Sequence, residues 1–478
     1  MKSLLITFVF LSVQVGAQDF FQRTYGGTGS EFGRGVVQTS DGGYACVGAT
    51  NSYGDGSSNV YLIKVDELGN YLWGRNLGGW GTIEWGMDIV EDSEGNLIIA
   101  GHTNETQNGD YNGLAIKMTA EGETVWYKTF GADDWDFFET LDVDSENSIY
   151  LVGNTHRDNE QKGWIVKLTN EGDEIWEEVL DGSGKIYVTG VSICDDENIS
   201  FVGYTEELIT DSHAFISGVA GSEGNMKWVS SESSWGNITT GKCKCRDNIV
   251  FTIGTFMSEL ESNFYLVKQG VEFGNTISNA SIESALNFFG ESIDLTPNGD
   301  IVLTGAGEFI FFEGFDAYVL KTNPSGGYIS DDYNDTFGQS GYDYFFDVFA
   351  TSDGGYISVG TSDSHGNGDQ LFLVKIASNG DVDPNNEDFL DLPTNTPFRE
   401  YGRLEIYPNP TIGTISIKSE RYINSISICN AQGEILRNIE TKNNNPERID
   451  LSGLENGMYF LRLDYLNGST STHKIIKH

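Results

Sequence analysis

The chain has 478 residues, of which 71 are acidic and 28 are basic, giving a net charge of −43. This charge repels nucleic acid phosphates and anionic membrane surfaces, and it favours cations or neutral ligands. The 59 glycines, 8 prolines and 12% aromatic residues, without long helix-periodic apolar runs, predict an all-β chain of short strands and tight turns. The length predicts two or more folding units.

The N-terminus predicts a secretory signal peptide at residues 1–17. Lys2 precedes the apolar run LLITFVFLSV, and the small residues VGA lead to a cleavage site after Ala17. This run is too short to cross a membrane as a helix, and no later run is longer. We therefore expect the mature chain to lack a membrane span.

Residues 18–383 contain one unit repeated seven times. DGGYACVGATNS begins at Asp41, and the near-copy DGGYISVGTSDS begins at Asp353. A repeat of this size is typical of arrays and propellers. The glycine that ends the second strand of each unit recurs every 50 to 55 residues, at Gly48, Gly101, Gly153, Gly203, Gly254, Gly305 and Gly360.

Each unit predicts four strands, which we name A to D. In the first unit these are RGVVQTS, YACVG, VYLIKV and YLWGRNL, with a tight A–B hairpin at Asp41-Gly42. Strands B and C are almost continuously apolar, as expected for strands covered on both faces. Four-stranded units around one axis form a β-propeller, so seven units predict seven blades. The N-terminal segment FFQRTYGG matches a strand D and is predicted to complete the last blade.

The units resemble the bacterial β-propeller repeat, with its order YGG, DGGY, VGxTxS, Lys, Gly and Trp. The resemblance covers residues 19–383 and is weaker in blades 4 and 5, where Gly218 replaces the strand C lysine. It implies a fold and says little about activity.

A linker at 384–403 is predicted to lead to a small Ig-like β-sandwich at 404–478. Alternating apolar residues return at Leu404, and an Asn-Ala-Gln-Gly hairpin follows. This module resembles the C-terminal sorting domain of type IX secretion in Bacteroidota. The resemblance rests on short ordered motifs that contain Tyr407, Pro408, Asn409, Pro410, Gly457, Tyr459, Leu461 and Lys474.

The resemblance implies handling by the type IX secretion machinery. It also implies passage across the outer membrane, and then attachment to the cell surface or release. An ordinary sandwich that binds a ligand is the alternative.

The most promising functional surface is the face that carries the B–C loops, because these loops vary in length and sequence while the A–B and C–D turns are uniform. An acid precedes an aromatic residue where four A strands begin. These acids could ring the channel mouth and bind calcium, or each could make a repeated structural contact. They are Glu31, Glu84, Asp136 and Asp343.

Two further groups of residues fall on this face. The loop EFIFFEGF contains Phe309, Phe311 and Phe312, which could stack on sugars or dock a protein, or fold against their own blades. Four histidines also fall in B–C loops, and their scattered positions favour solvent-exposed residues over a metal site. These are His102, His156, His213 and His365.

The five cysteines are predicted to be mainly buried small apolar residues, against a disulfide or a thiolate metal site. Cys243 and Cys245 share one strand face and are poorly placed to bridge each other.

No nucleophile, zinc or phosphate-loop motif is present in the sequence, and a carboxylate pair could still be assembled by the fold. We therefore predict an exported binding or adhesion module for a glycan or surface protein. It would need no cofactor except, at most, calcium. The alternatives are a structural surface scaffold and an extracellular polysaccharide-acting enzyme.

Overall fold

The structure is a computed structural model that contains strands and no helices among the residues it describes. It describes residues 20–478 except 54–56, 80, 106–109, 132–133, 183, 196, 207–212, 233–236, 259–261, 283–286, 309–313, 328–333, 339–340, 365–367, 383–386, 392–403, 420–422, 431–434, 441–446 and 466–469. The predicted signal peptide and most of the predicted linker thus lie outside the described residues.

Seven antiparallel four-stranded units form the blades, each in the order A-B-C-D. Blades 1 to 5 are separate sheets, whereas a short parallel pairing of Gly314 with Gly341 joins blades 6 and 7 into one sheet. The first strand is β1 (Phe21–Gly26). Blade 1 comprises β2 (Glu31–Gln38), β3 (Tyr44–Thr50), β4 (Asn59–Val65) and β5 (Tyr71–Leu77). Blade 2 comprises β6 (Glu84–Glu91), β7 (Leu97–Thr103), β8 (Asn112–Met118) and β9 (Thr124–Phe130). Blade 3 comprises β10 (Asp136–Val143), β11 (Ile149–Arg157), β12 (Glu160–Leu168) and β13 (Glu174–Leu180).

The other blades follow the same pattern. Blade 4 comprises β14 (Lys185–Ile193), β15 (Ile199–Glu206), β16 (His213–Ala220) and β17 (Met226–Glu232). Blade 5 comprises β18 (Asn237–Arg246), β19 (Ile249–Met257), β20 (Ser262–Gly270) and β21 (Thr276–Ile282). Blade 6 comprises β22 (Phe288–Leu295), β23 (Ile301–Glu308), β24 (Gly314–Thr322) and β25 (Asn334–Phe337). Blade 7 comprises β26 (Gly341–Ala350), β27 (Tyr356–Ser362), β28 (Gln370–Ile376) and, as its strand D, β1. The seven-bladed propeller predicted from the repeat is confirmed.

The N-terminal strand closes the ring. β1 pairs antiparallel with β28, with Phe21 opposite Lys375 and Tyr25 opposite Leu371. The structure differs from the sequence expectation at this edge of blade 7. A short strand, β29 (Glu387–Asp391), pairs in parallel with the outer edge of β1. The segment predicted as an unpatterned linker therefore contributes a fifth strand to blade 7 and covers an edge that would otherwise expose unpaired backbone groups.

Neighbouring blades are joined by the repeated tryptophan. Trp73, in the strand D of blade 1, packs on Gly122 in the C–D turn of blade 2, where an added Cβ would lie 2.8 Å from the ring. Gly122 has a φ of 76°, so both the backbone conformation and the ring favour glycine there. In blade 7, Phe21 takes the place of the tryptophan and packs on Gly69 of blade 1.

The repeated lysine of strand C fixes the A–B turn of its own blade. Lys64 and Lys375 are buried and bind Asp41 and Asp353 of the turns at 2.9 Å each. The lysine charge is compensated by the turn aspartate, which explains why the two residue types recur together.

The strands A form the inner ring, each packing against the strand A of the next blade. This packing corrects the expectation for two cysteines. Cys194, directly after β14, and Cys245 in β18 form a disulfide. They occupy nearby positions on neighbouring inner strands, 51 residues apart in sequence, which is one repeat. Cys46, Cys243 and Cys429 are free and buried, as predicted.

The C-terminal module has two sheets around its own apolar core. One contains β30 (Leu404–Tyr407), β31 (Thr414–Ser419) and β34 (Glu447–Asp450). The other contains β32 (Ile423–Cys429), β33 (Ile435–Glu440), β35 (Gly457–Tyr465) and β36 (Thr470–Lys477). The predicted small β-sandwich is confirmed.

Candidate functional site

The central channel is lined by side chains that alternate along the seven strands A. Each of these strands carries a register shift after its third, fourth or fifth residue, as between Gly33 and Gly35 or between Gly86 and Asp88. The shift turns an additional side chain toward the channel axis. The lining therefore consists of successive tiers, counted from the face that carries the B–C loops.

The first tier is a ring of aromatic side chains, which we name the aromatic belt. In six of the seven blades, the residue that directly follows the first buried residue of strand A contributes its ring to this belt. All six rings are partly exposed, as expected for side chains that face a channel. The belt consists of Phe32, Trp85, Phe137, Tyr187, Phe289 and Tyr344, and blade 5 has Thr239 at this position.

Contacts between blades hold the belt together. Phe32 stacks on Trp85 with ring centroids 5.3 Å apart. His102 lies next to Trp85 and Phe137, at 6.4 Å and 4.8 Å between ring centroids. Burial, with a smaller contribution from the nearby Arg34 charge, lowers the pKa of His102 to about 4. The imidazole is therefore neutral at physiological pH.

The second tier carries three charged side chains, which we name the polar tier: Arg34, Glu139 and Glu291. The Arg34 guanidinium lies 3.9 Å from the Phe346 ring centroid and 5.3 Å from that of Trp85. Burial raises the pKa of both glutamates, and the Arg34 charge opposes that rise. None of the hydrogen bonds or ion pairs between described residues uses the Glu139 or Glu291 carboxylate, and the Arg34 Nε has no hydrogen-bond partner among them.

The third tier closes the channel with an ion pair, which we name the axial ion pair. Lys242 of blade 5 reaches Asp88 of blade 2 at 2.7 Å and Asp347 of blade 7 at 2.8 Å. Both aspartates also bind the following blade: Asp88 accepts from the Leu141 backbone N–H at 3.1 Å, and Asp347 accepts from that of Val36 at 2.9 Å. Burial lowers the Lys242 pKa, but the two aspartates outweigh burial and raise it overall, so the amine stays charged.

On the other side of the axial ion pair lies a cavity of about 260 Å³ that extends toward the A–B turns. Lys244 and Asp294 face each other across it at 3.7 Å. Asp294 accepts a hydrogen bond from the Ala350 backbone N–H at 2.8 Å, and Asp142 accepts one from that of Ile193 at 2.8 Å. The charged groups of this cavity are thus used to bind neighbouring blades.

The four acids proposed for the channel mouth have no exposed surface. Glu31 accepts hydrogen bonds from the Gly27 backbone N–H at 2.9 Å and from the Thr50 hydroxyl at 2.7 Å. Glu84, Asp136 and Asp343 each accept one from a hydroxyl at the end of strand B or in the loop after it. These contacts match the structural alternative, and no group of three or more His, Cys, Asp or Glu among the described residues is arranged to hold a metal ion.

The other predicted positions are distributed differently. Phe309, Phe311 and Phe312 lie outside the described residues, as does His365. His156 bonds Asp134 at 2.5 Å in blade 3. His102 packs against the belt residues Trp85 and Phe137 and does not lie in a loop, because β7 extends through it to Thr103.

Sequence reasoning missed the belt and both tiers below it. The signal was present: in four blades the notable acid is followed directly by an aromatic residue, as in Glu31-Phe32 and Asp136-Phe137. Because side chains alternate along a strand, an acid that points into the blade leaves the next residue facing the channel. The acid therefore marked the channel mouth in the sequence, but the aromatic residue after it is the one that lines the channel.

The residues predicted to form the sorting signal all lie in the C-terminal module. The Asn409 side chain makes two hydrogen bonds to the backbone of β36. It donates to the Lys474 carbonyl at 2.7 Å and accepts from the Ile476 backbone N–H at 3.0 Å. Pro408 and Pro410, on either side of Asn409, follow cis peptide bonds. The Tyr459 hydroxyl donates to the Glu455 carbonyl at 2.8 Å, and Leu461 is buried in the core. Gly457 begins β35.

Residues 405–478 match the family model described as "Secretion system C-terminal sorting domain". The chain is therefore a β-propeller protein that ends in a sorting domain of the type IX class. This domain implies export, followed by surface attachment or release. Within the residues that the structure describes, no helix is long and apolar enough to cross a membrane.

Several solved structures resemble the chain, and no curated protein matches it in sequence. An ulvan lyase of a new polysaccharide lyase family is 9% identical, covers 73% of this chain and 95% of its own, and has a TM-score of 0.48. Sqt1 of Chaetomium thermophilum is 11% identical, with coverages of 74% and 97% and a TM-score of 0.44. A protein of unknown function from Bacteroides caccae is 10% identical, with coverages of 59% and 93% and a TM-score of 0.38. At such identities a likeness concerns the fold alone.

Proposed function

We propose that this protein is an extracellular binding or adhesion module of a Bacteroidota bacterium, handled by the type IX secretion machinery and then attached to the surface or released. Its ligand is a glycan or a protein on another surface, and it docks at the channel mouth on the face of the B–C loops. Residues 18–383 form the binding unit, and residues 404–478 direct export.

The aromatic belt carries this proposal. Six partly exposed rings converge from six blades on one opening, whereas an interior that served folding alone would bury them. Aromatic faces bind sugars and protein side chains through large apolar contacts of defined geometry. Trp135 and Tyr342 extend the aromatic surface outward, with 55% and 58% of each residue exposed.

The test is retention of purified residues 18–391 on arrays of glycans and surface proteins at physiological salt, with and without calcium. This fragment retains β29, which pairs with β1. We expect selective retention that is lost in the double variant Trp135→Ala, Tyr342→Ala. Both residues are exposed, so the change should leave folding intact.

Phe273→Ala is the matched control, because Phe273 is 74% exposed and lies in a C–D turn on the opposite face. Equal loss in this control, or no retention of the wild type on any array, would overturn the proposal. In the second case a structural scaffold becomes the better interpretation. Release of products from an arrayed polysaccharide would favour the enzyme.

A further inference from the structure

We propose that the part of the channel between the aromatic belt and the axial ion pair is a closed subsite for the terminal unit of a neutral glycan. This inference rests on the proposed function and specifies its ligand. It assigns the belt to stacking on the sugar ring and the polar tier of Arg34, Glu139 and Glu291 to binding its hydroxyl groups.

The axial ion pair makes the subsite a dead end. Lys242 crosses the channel axis to meet Asp88 and Asp347, which come from blades on the other side of the ring. All three side chains are mostly buried, and both aspartates are held in addition by backbone N–H groups of neighbouring blades. A polymer therefore cannot pass through the channel, and only a chain end can reach the polar tier.

The polar tier has the donors and acceptors that a sugar requires. A guanidinium donates and carboxylates accept, so a vicinal diol can be bound from both sides. The Nε of Arg34 makes no hydrogen bond to the described residues. Glu139 and Glu291 interact with the charge of Arg34, and no hydrogen bond between described residues uses either carboxylate, in contrast to the carboxylates of the axial ion pair. Stacking on Phe346 and Trp85 holds the Arg34 guanidinium in place.

The charge of the molecule selects a neutral sugar over an acidic one. The chain carries −43 overall. A uronate or sulfate ester would therefore be repelled at long range. A neutral saccharide experiences no such repulsion and gains from both aromatic stacking and hydroxyl binding.

The experiment measures affinity against chain length by calorimetry on residues 18–391, with neutral manno-, xylo-, cello- and malto-oligosaccharides of two to six units. α-Cyclodextrin is the control for chain ends, because it contains the same six sugar units as maltohexaose in a closed ring. We expect one series to bind with an affinity that is nearly constant beyond two units. If the malto series binds, α-cyclodextrin should bind at least about tenfold more weakly. An affinity that rises steadily to six units, or preferential binding of acidic oligosaccharides, would overturn the inference.

Variants separate this inference from the proposed function. Glu139→Gln and Glu291→Gln keep the size of the side chain, and Arg34→Met keeps the packing on Phe346. Each variant should lower the affinity for the oligosaccharide about tenfold or more. Glu67→Gln, an exposed glutamate in a C–D turn, is the matched control. If the double variant Trp135→Ala, Tyr342→Ala abolishes binding while all three polar-tier variants bind like the wild type, the channel-mouth function stands and the subsite is wrong.

Discussion

The two halves of the channel are built by the same seven strands and differ in how their polar groups are used. At the axial ion pair and below it, Asp88, Asp347 and Asp294 each bind both a lysine and a backbone N–H of a neighbouring blade. Above it, Glu139 and Glu291 interact with the Arg34 charge and hydrogen-bond to no described residue. The lower half therefore holds the blades together, whereas the upper half leaves these carboxylates open to the ligand that we propose.

This difference shows how polar groups that stabilise a repeated structure can be distinguished from polar groups that are open to a ligand. Buried polar groups that serve stability are paired, since an unpaired buried charge is costly. Buried polar groups that remain without a hydrogen-bond partner beside aromatic rings are therefore candidates for binding a ligand.

The largest expected effect comes from breaking the lower half. Lys242→Met leaves Asp88 and Asp347 buried without their cation, so we expect the free energy of unfolding to fall by about 3–5 kcal/mol. Denaturant unfolding of residues 18–391 measures it. Lys227→Met, an exposed lysine in β17, should change little. If adding Asp88→Asn and Asp347→Asn to Lys242→Met restored no stability, the loss would not come from the unpaired charges.

A second change acts on the same inner strands through the disulfide. Removing the bond between Cys194 and Cys245 by Cys→Ala at both positions should cost about 2–4 kcal/mol, because the unfolded chain regains the freedom of a long loop. Melting temperatures with and without reductant measure it. The wild type should lose stability in reductant and the double variant should not. A wild type that is indifferent to reductant would contradict the assignment.

The next change concerns pH and the buried acid beside the belt. Burial raises the Glu84 pKa from 4.5 to about 8, so the folded state holds a proton that the unfolded state has released between these values. Stability should therefore fall as pH rises from 4.5 to 8, by at most about 1.4 kcal/mol for each pH unit.

Glu84→Gln removes this proton and should flatten that part of the pH profile. Unfolding of wild type and variant at about pH 5 and about pH 8 compares the two slopes. Glu67→Gln, at an exposed glutamate, should keep the wild-type slope. Parallel profiles for the wild type and Glu84→Gln would show that Glu84 is ionised throughout.

The smallest effect has the opposite sign and lies in the upper half. The His102 pKa falls from 6.5 to about 4, so the unfolded state takes up a proton first as pH falls through this window. The wild type should lose stability from pH 6.5 downward, and His102→Phe should lose less. Difference unfolding curves measure this, and an identical acid loss in both proteins would contradict a neutral imidazole.

The fold could be predicted closely from the sequence because each blade repeats the same local signals. Asp-Gly turns, the strand C lysine and the tryptophan each have a structural partner, such as Asp41 for Lys64 and Gly122 for Trp73. The strand β29 could not be predicted, since its five residues gain their pairing only from the edge that β1 presents.

The candidate site could be predicted only in part. The face was predicted from loop variation, but the acids chosen there point into the blades. Lys242, Asp88 and Asp347 lie far apart in sequence and meet only across the axis, so no spacing rule joins them. The disulfide could have been predicted from the spacing of Cys194 and Cys245, which is one repeat length of 51 residues. This spacing becomes informative once the inner strands of neighbouring blades are known to pack together.

The pairing of β1 with β28 has a consequence for the order of events during export. The first strand of the propeller to be synthesised finds its partner only when nearly all of the propeller sequence has been completed. Until then blade 7 lacks its strands A to C, and the ring stays open with unpaired edges. Closure of so distant a contact is slow and comes late. Six blades can therefore mature ahead of the seventh, and ring closure falls close to the moment when the sorting domain itself emerges.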